Sequence, residues 1–224
     1  MKNKLKLIYL ALVHFLLLFV LISNYLIPDK EKKNSQQHSP VRPEIGSFYR
    51  NMILQHARRE FSVPPNSLIF IGDSHFQGLA VTAIANASIN YGISSDTTKG
   101  VLLRLPHYRS LKTARAVVFH VGINDMRYRS NEEIISNLRQ FSKIVPGDLP
   151  IIYSAILPID ETSREEWENL SLKRIREVNL AIKKWAEKSG RITFIDAGPQ
   201  LMGDDKNLLE QYHHGDGVHL NAEG

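Results

Sequence analysis

Four short segments of the chain contain side chains that could together carry out acyl transfer. In chain order they are residues 72–75 (Gly-Asp-Ser-His), Gly92, residues 122–125 (Gly-Ile-Asn-Asp) and residues 216–219 (Asp-Gly-Val-His). A serine that attacks a carbonyl needs hydrogen-bond donors for the oxygen that becomes negative and a histidine base oriented by a carboxylate. These segments supply the nucleophile, the donors and the base.

Each candidate residue has a role in that chemistry and a simpler alternative. Ser74 is the candidate nucleophile, but a serine at this point could also cap a helix. Gly92 and Asn124 are candidate donors, but both residue types are common in turns. His219 is the candidate base, and Asp216 lies three residues before it, which suits a shared side of one turn or an ordinary surface loop. The combination favours catalysis more than any single residue does.

Apolar runs of strand length come before three of these segments. The predicted strands cover residues 67–71, 87–91, 116–121, 150–157 and 191–195. Nearly continuous apolar runs are typical of strands that are covered on both faces. Ser74, Gly92 and Asn124 each follow a strand end, and ligands of open parallel sheets bind beyond those ends. We therefore expect these three residues to converge at one edge of a sheet.

Helical periodicity separates the later strands. Apolar residues recur at helical spacing from Ile134 to Ile144 and again from Ile175 to Trp185, and Gly190 is the predicted end of the second helix. Ser130 followed by a glutamate three residues later resembles a capping box. Alternation of strands and helices predicts a parallel sheet between helices.

Composition narrows the class of protein. The 224 residues are 43% hydrophobic and 23% charged, as in an ordinary globular protein. The net charge is +5, but residues 1–46 carry +4 of it, so the remaining chain has almost no excess charge to attract nucleic acid. There is no cysteine, which excludes disulfides and a thiolate nucleophile. We therefore predict no nucleic-acid partner.

The amino-terminal residues predict a membrane anchor. Residues 7–22 are apolar except for His14, and a helix over residues 7–27 would be about 31 Å long, enough to cross a bilayer. Lys2, Lys4 and Lys6 come first, which places the amino terminus in the cytoplasm and the rest of the chain outside. The alternative is a signal peptide that is cleaved to release a secreted protein.

These observations divide the chain into three parts. Residues 1–28 are the predicted signal-anchor or transmembrane segment, and residues 29–45 are polar, contain prolines and suit a flexible linker. Residues 46–224 contain all the predicted strands and all four motif segments. We expect this last part to be the catalytic domain, either periplasmic or extracellular.

The four segments together resemble the SGNH, or GDSL, hydrolase family over about residues 66–224. The resemblance implies a flavodoxin-like three-layer α/β/α sandwich with a parallel sheet of about five strands. It also implies that Ser74 is the nucleophile, that Asp216 and His219 complete the catalytic triad, and that Ser74, Gly92 and Asn124 form the oxyanion hole. Two departures from the family are His75, where an apolar residue is usual, and a chain end five residues after His219, where relatives usually continue into a closing helix.

The function that this resemblance implies is ester hydrolysis by a lipase-like serine esterase. A site outside the cytoplasm favours acyl groups, such as O-acetyl, on glycans or lipids of the cell envelope as substrates. Two alternatives remain open: an O-acyltransferase that uses the same acyl-enzyme, and a non-catalytic binding module on the same fold. No residue of the sequence distinguishes water from an alcohol as the acceptor.

No cofactor and no metal are predicted for this chemistry. His213 and His214 lie close to Asp216 and His219 and give the carboxyl-terminal segment the composition of a metal site. A mononuclear zinc site needs three well-placed protein ligands. Because catalysis already accounts for two of these four side chains, we expect no metal here.

Overall fold

A computed structural model of the chain describes residue 44, residues 46–163 and residues 170–224, and five parallel strands form its centre. The strands are β1 (Leu68–Gly72), β2 (Ser88–Gly92), β3 (Ala116–His120), β4 (Ile151–Ser154) and β5 (Ile192–Ile195). Their order across the sheet is β2-β1-β3-β4-β5, which is the order of flavodoxin-like doubly wound proteins. The predicted α/β class and the five-stranded parallel sheet are confirmed.

The helices follow the strands in alternation. In the described part of the chain the α-helices are α1 (Ser47–Arg59), α2 (Ser74–Gln77), α3 (Thr98–Arg104), α4 (Asn131–Ile144), α5 (Leu172–Ala186) and α6 (Gly198–Leu201). Short 3-10 turns complete the connections, among them Val81–Ala83, Leu105–His107 and Asn124–Arg127. Together with the strands they belong to one compact unit, Arg42–Gly224.

Apolar side chains cover both faces of the sheet. Along β1, Ile69 and Ile71 point into the larger hydrophobic cluster, whereas Phe70 points into a smaller one on the opposite face. Helices α3, α4 and α5 bury their apolar residues in the larger cluster. The smaller cluster contains Phe76 from α2 and Val81 from the following turn. This alternation explains why the strands have nearly continuous apolar sequences.

Local sequence signals account for the start of α4 but not for every boundary. Ser130 accepts a hydrogen bond from the Glu133 backbone, and the Glu133 side chain accepts one from Ser130, so the predicted capping box is confirmed. Helix α5 ends at Ala186, four residues before Gly190, the predicted end. Strand β4 is shorter than predicted because both backbone groups of Ile156 bind the Asn179 side chain of α5 instead of a neighbouring strand.

The predicted membrane anchor (residues 1–28) lies outside the described residues, as does the linker except for residue 44. Over residues 44, 46–163 and 170–224, no helix has both the length and the apolar content that a bilayer crossing requires.

A buried histidine beneath the sheet edge should make the stability of the fold depend on pH. His56 is 1% exposed, and its Nδ1 lies 2.8 Å from the Tyr108 hydroxyl, which in turn accepts a hydrogen bond from Arg104. Because that hydroxyl has its proton free to donate to His56, the ring is neutral here. Burial, helped by the charges of Arg104 and Arg59, lowers the pKa of His56 to about 3.

We expect the free energy of unfolding to decrease as the pH falls from about 6.5 towards 3. The unfolded chain takes up a proton at this histidine in that range and the folded chain does not, so the loss is about 1.4 kcal/mol per pH unit, and the contribution is complete above pH 6.5. Urea unfolding at pH 7, 6 and 5 measures it. In His56→Gln, whose side chain cannot be protonated, the free energy of unfolding should depend less steeply on pH, by the equivalent of about one proton. The same slope of unfolding free energy against pH in both proteins would contradict the prediction.

Candidate active site

The carboxyl ends of β1, β2 and β3 bring the first three motif segments to one edge of the sheet. Gly72 at the end of β1 is in register with Gly92 on one side and His120 on the other. Ser74 begins α2 immediately after β1, and Asn124 begins a 3-10 turn shortly after β3. The convergence expected from the strand pattern is therefore present in the fold.

Ser74, His219 and Asp216 form a continuous hydrogen-bonded chain. Ser74 Oγ lies 2.8 Å from His219 Nε2, although 145 residues separate them in the sequence. His219 Nδ1 lies 2.6 Å from Asp216 Oδ2. Since the ionised carboxylate only accepts, Nδ1 carries a proton and Nε2 of the neutral ring can accept the proton of the serine hydroxyl. The arrangement can therefore deprotonate Ser74 as the hydroxyl attacks a carbonyl.

Asp216 also holds the backbone of the segment that carries the histidine. Its Oδ1 accepts hydrogen bonds from the backbone N–H of Val218 (2.9 Å) and of His219 (2.8 Å). Partial burial would raise the pKa of this carboxyl, but the His219 ring and the two backbone donors outweigh burial and lower the pKa to about 2. Asp216 is therefore ionised throughout the neutral range and orients His219 with one oxygen while shaping the turn with the other.

His213 supports the same turn and so has a role other than metal binding. Its Nδ1 accepts hydrogen bonds from the backbone N–H of Gly215 (3.0 Å) and Gly217 (3.1 Å). Gly217 has a φ of 70°, and a Cβ there would lie 2.8 Å from the Asp160 carbonyl oxygen. Glycine is therefore required at this position, and the imidazole of His213 faces the turn instead of joining a cluster with His219.

Asn124 presents a side-chain amide at the same edge of the sheet as the nucleophile, since it follows the end of β3. Its Nδ2 donates to the Asp96 carbonyl oxygen at 3.0 Å, which uses one of the two amide protons and orients the group. The half-buried side chain keeps a second proton for another acceptor. Asn124 is thus geometrically able to serve as a donor to a bound oxygen.

The predicted role of Gly92 as a hydrogen-bond donor disagrees with its observed contacts. The Gly92 N–H donates to Asn90 Oδ1 at 2.8 Å, so it is already occupied. A Cβ at this position would lie 2.2 Å from the Gln77 backbone nitrogen, which explains the glycine by close packing against α2. Asn90 completes this junction, since its Nδ2 donates to the carbonyl oxygens of Phe76 and Leu79.

The turn that follows β2 is hydrogen-bonded to Asn124, whereas Gly92 is not. Ser95 has a φ of 63°, a left-handed conformation that is uncommon for a residue with a side chain, and the next residue, Asp96, accepts the Asn124 hydrogen bond. A backbone donor beside Asn124 would therefore come from this turn. A glycine-based search of the sequence misses it because the left-handed residue is a serine.

Arg104 joins the ends of the strands that lead into the site. Its Nη2 donates to the Gly72 carbonyl oxygen (3.0 Å) and its Nη1 to that of Tyr91 (2.8 Å), while Nε donates to Asp96 Oδ2 (2.8 Å). The side chain is 1% exposed. No local signal in the sequence indicates this role, because an arginine near the end of an amphipathic helix normally faces solvent.

We expect Arg104→Met to destabilise the fold by about 3–5 kcal/mol, because it leaves the buried carboxylate of Asp96 without its cation. It also leaves the strand-end carbonyls of Gly72 and Tyr91 without a donor. Urea unfolding measures the change. The matched control is Arg58→Met on the exposed face of α1, for which we expect less than about 0.5 kcal/mol. Equal losses in the two variants would contradict the prediction.

A second group of titratable side chains includes the two residues that flank the nucleophile in the sequence. Asp73, His75 and His120 each have one potential ligand atom within 4.8 Å of the others. Asp73 is completely buried, and His120 is 3% exposed. Burial lowers the pKa of His120 to about 4, so this ring is neutral. The residue types could bind a cation, but they also suit a carboxylate paired with a protonated imidazole.

Comparison of the sequence and the fold with known proteins identifies the family of the chain. A sequence model of the GDSL-like lipase/acylhydrolase family matches residues 70–224. No curated protein matches the chain. Among solved structures, a GDSL-like lipase from Bacteroides thetaiotaomicron is 22% identical, with a TM-score of 0.66 over 78% of this chain and 91% of that one.

Two further solved structures have the same fold. A lipase/acylhydrolase from Enterococcus faecalis is 20% identical, with a TM-score of 0.60 over 71% of this chain and 89% of that one. An acetylxylan esterase from Geobacillus stearothermophilus is 18% identical, with a TM-score of 0.56 over 70% of this chain and 88% of that one. The family match covers every motif segment from Ser74 to His219, and the chain belongs to the GDSL-like lipase/acylhydrolase family of ester-hydrolysing enzymes.

Proposed function

We propose that the protein is a serine esterase that removes short acyl groups, such as O-acetyl, from glycans or lipids of the cell envelope. The observation that carries this proposal is the hydrogen-bonded chain from Asp216 through His219 to Ser74, with distances of 2.6 and 2.8 Å. A structural serine cap would need no histidine at its hydroxyl, and a surface histidine would need no carboxylate at its Nδ1.

In the acylation step, Ser74 Oγ attacks the ester carbonyl carbon while its proton passes to His219 Nε2. The new imidazolium is stabilised by Asp216, which remains ionised. As the tetrahedral intermediate collapses, the bond between the carbonyl carbon and the alcohol oxygen breaks. The proton on Nε2 passes to the departing alcohol, and the acyl group remains on Ser74 as an ester.

In the deacylation step, His219 takes a proton from water and the resulting hydroxide attacks the acyl-enzyme. The bond to Ser74 Oγ then breaks, the serine recovers its proton from His219 and the free acid leaves. Two donors would stabilise the oxyanion in both steps: the backbone N–H of Ser74, which as a first-turn group has no intrahelical partner, and the second amide proton of Asn124. Gly92 would join them only after releasing Asn90.

The openness of the site supports an acyl group carried on a bulky alcohol. The side chain of His219 is 40% exposed and that of Asp216 is 19% exposed. The base must protonate the leaving alcohol, so an exposed base leaves space for a large alcohol such as a polysaccharide. An acetylxylan esterase is among the proteins with the same fold, and it is a precedent for this substrate class.

Acyl-chain preference and product analysis test the proposal. The full-length chain in detergent should release nitrophenol from 4-nitrophenyl acetate at least about 10-fold faster than from the decanoate, because an open site offers little apolar surface to a long chain. With an acetylated oligosaccharide it should release free acetate. Transfer of acetate to an added glycan acceptor would favour the acyltransferase instead. No ester cleavage, together with no labelling of Ser74 by an aryl phosphonate, would indicate a binding module.

We also propose that the catalytic domain lies outside the cytoplasm, tethered by residues 1–28. The support comes from the sequence alone: an apolar run over residues 7–22 that follows Lys2, Lys4 and Lys6. In cells with an intact inner membrane, external protease should digest the domain, and the protein should remain in washed membranes. A protected domain would contradict the orientation, and release of a shorter soluble form would favour the cleaved signal peptide.

A further inference from the structure

His75, which immediately follows the nucleophile, contacts the segment that carries the catalytic base. Its Nε2 lies 3.0 Å from the Val218 carbonyl oxygen, although the two residues are 143 positions apart. Since a carbonyl only accepts, Nε2 carries the proton of this hydrogen bond. The side chain is 9% exposed, so solvent competes little with the contact.

The ring of His75 also lies against the ring of His219. The two ring centroids are 5.5 Å apart with an angle of 28° between the planes, which is a stacked arrangement. His75 therefore touches both the backbone just before the base and the base itself. Each of these contacts crosses from the nucleophile side of the site to the carboxyl-terminal segment.

Most other hydrogen bonds of residues 213–219 stay within that segment or its immediate neighbours. Asp216 binds Val218 and His219, and the His214 N–H donates to the His219 carbonyl oxygen at 3.0 Å. These bonds fix the shape of the turn but not its position relative to Ser74. Apart from the Ser74–His219 hydrogen bond, the polar contacts from this segment to other described parts of the chain are the one from His75, a hydrogen bond from the Asp160 N–H to the Gly217 carbonyl oxygen and a 3.8 Å contact between His213 Nε2 and Asp160 Oδ2. Val218 also packs in the larger hydrophobic cluster, but His75 supplies the polar contact that comes from the residue next to Ser74.

Asp73 determines how His75 is held on its other side. Its Oδ1 accepts a hydrogen bond from the His75 backbone at 3.1 Å and lies 3.4 Å from His75 Nδ1, an ion-pair contact longer than a good hydrogen bond. Burial works against charge on both groups, but their mutual contact outweighs it, lowering the pKa of Asp73 and raising that of His75. His120 packs edge-on against the His75 ring at 5.1 Å between centroids and closes the remaining side.

We propose that Asp73 and His75 form a second carboxylate–imidazole pair. Its role is to hold residues 216–219 where His219 can accept the proton of Ser74. His75 is then a positioning residue: it acts on the reaction through His219. This inference rests on the proposed function, because it assumes that His219 is the base. It assigns a purpose to the residue at which this chain departs from the apolar residue usual in the family.

Two substitutions of His75 separate positioning from simple packing. His75→Leu removes the donor to Val218 but keeps an apolar side chain of useful size, whereas His75→Gln keeps an N–H that can reach the same carbonyl. We expect the leucine variant to lower kcat for 4-nitrophenyl acetate by about 10–100-fold with little change in KM, because the base moves while Ser74 and the oxyanion donors do not. The glutamine variant should recover at least half of that loss on a logarithmic scale.

Thermal unfolding of the full-length variants provides the control for folding. A glutamine variant as impaired as the leucine variant would overturn the proposal, as would unchanged kcat in the leucine variant or an increase confined to KM. Binding of one Zn²⁺ per chain in calorimetry, lost in His75→Gln, would also overturn it, because the cluster would then be a metal site. Ser74→Ala distinguishes failure of the positioning role from failure of the proposed function. If Ser74→Ala still hydrolyses the ester, the proposed function fails. If Ser74→Ala loses activity but His75→Leu keeps the wild-type kcat, only the positioning role is refuted.

Discussion

Ser74→Ala should reduce kcat for ester hydrolysis by about 10⁴–10⁶-fold, the range expected when a serine nucleophile is removed. The reason is that Ser74 Oγ is the atom that lies 2.8 Å from His219 Nε2, so the variant has no hydroxyl for the base to deprotonate. Alanine keeps the backbone N–H at the start of α2, and hydrogen bonds from the oxyanion donors would account for any residual rate.

Initial rates with 4-nitrophenyl acetate and mass spectrometry after treatment with an aryl phosphonate measure this effect. Ser136→Ala, at an exposed position of α4, is the matched control and should retain wild-type kcat and labelling. The Ser74 variant should unfold at nearly the same temperature as the wild type, since the hydroxyl binds the ring of His219, which is 40% exposed. If it keeps more than about one tenth of the wild-type rate, the nucleophile is another residue.

Asp216→Asn should reduce kcat by about 10⁴-fold, because it puts the His219 proton on the wrong nitrogen. The amide oxygen replaces Oδ1, which accepts hydrogen bonds from two backbone N–H groups of the turn. The NH₂ group must then face His219 Nδ1, which lies 2.6 Å from the replaced oxygen. Nδ1 becomes an acceptor, the proton moves to Nε2, and Nε2 can no longer receive the proton of Ser74.

The pH dependence of the wild-type enzyme gives a second measurement. In the wild type Asp216 has a pKa of about 2, so its ionisation should not limit kcat/KM above about pH 3. Asp204→Asn, at an exposed position, is the control and should leave kcat unchanged. If Asp216→Asn keeps wild-type kcat, the carboxylate only shapes the turn and the histidine needs no orienting partner.

Much of the fold follows from patterns that are local in the sequence. The five apolar runs became five parallel strands because each run is long enough for one strand, and the central strands β1 and β3 are buried on both faces. The capping box at Ser130 starts α4 as expected. Strand and helix ends are less predictable. The Asn179 side chain, 23 residues away in the sequence, binds both backbone groups of Ile156, and β4 ends before that residue.

The supporting contacts of the site could not be predicted from residue types alone. Arg104 looks like a solvent-facing arginine in the sequence but is buried where it joins the carbonyl ends of two strands. Gly92 looks like a free backbone donor, but the Asn90 side chain occupies its N–H. His213 belongs to a segment with the composition of a metal site, for which no metal was expected, and its Nδ1 accepts hydrogen bonds from two backbone N–H groups of its own turn. In each case a specific hydrogen-bond partner decides the role: for Arg104 it includes a carbonyl 32 residues away, and for Gly92 and His213 it lies within four residues along the chain.

The sequence by itself determined the α/β class, the order of the chemical groups and their attachment to strand ends, because these depend on periodicity and on residue type. Only the tertiary structure decided which groups meet. Ser74 and His219 are 145 residues apart, and their 2.8 Å contact exists because the sheet order and the carboxyl-terminal turn bring them to the same edge. The same folding puts His75 against Val218, a contact for which the sequence contains no pattern because hydrogen bonds between distant segments depend on three-dimensional packing.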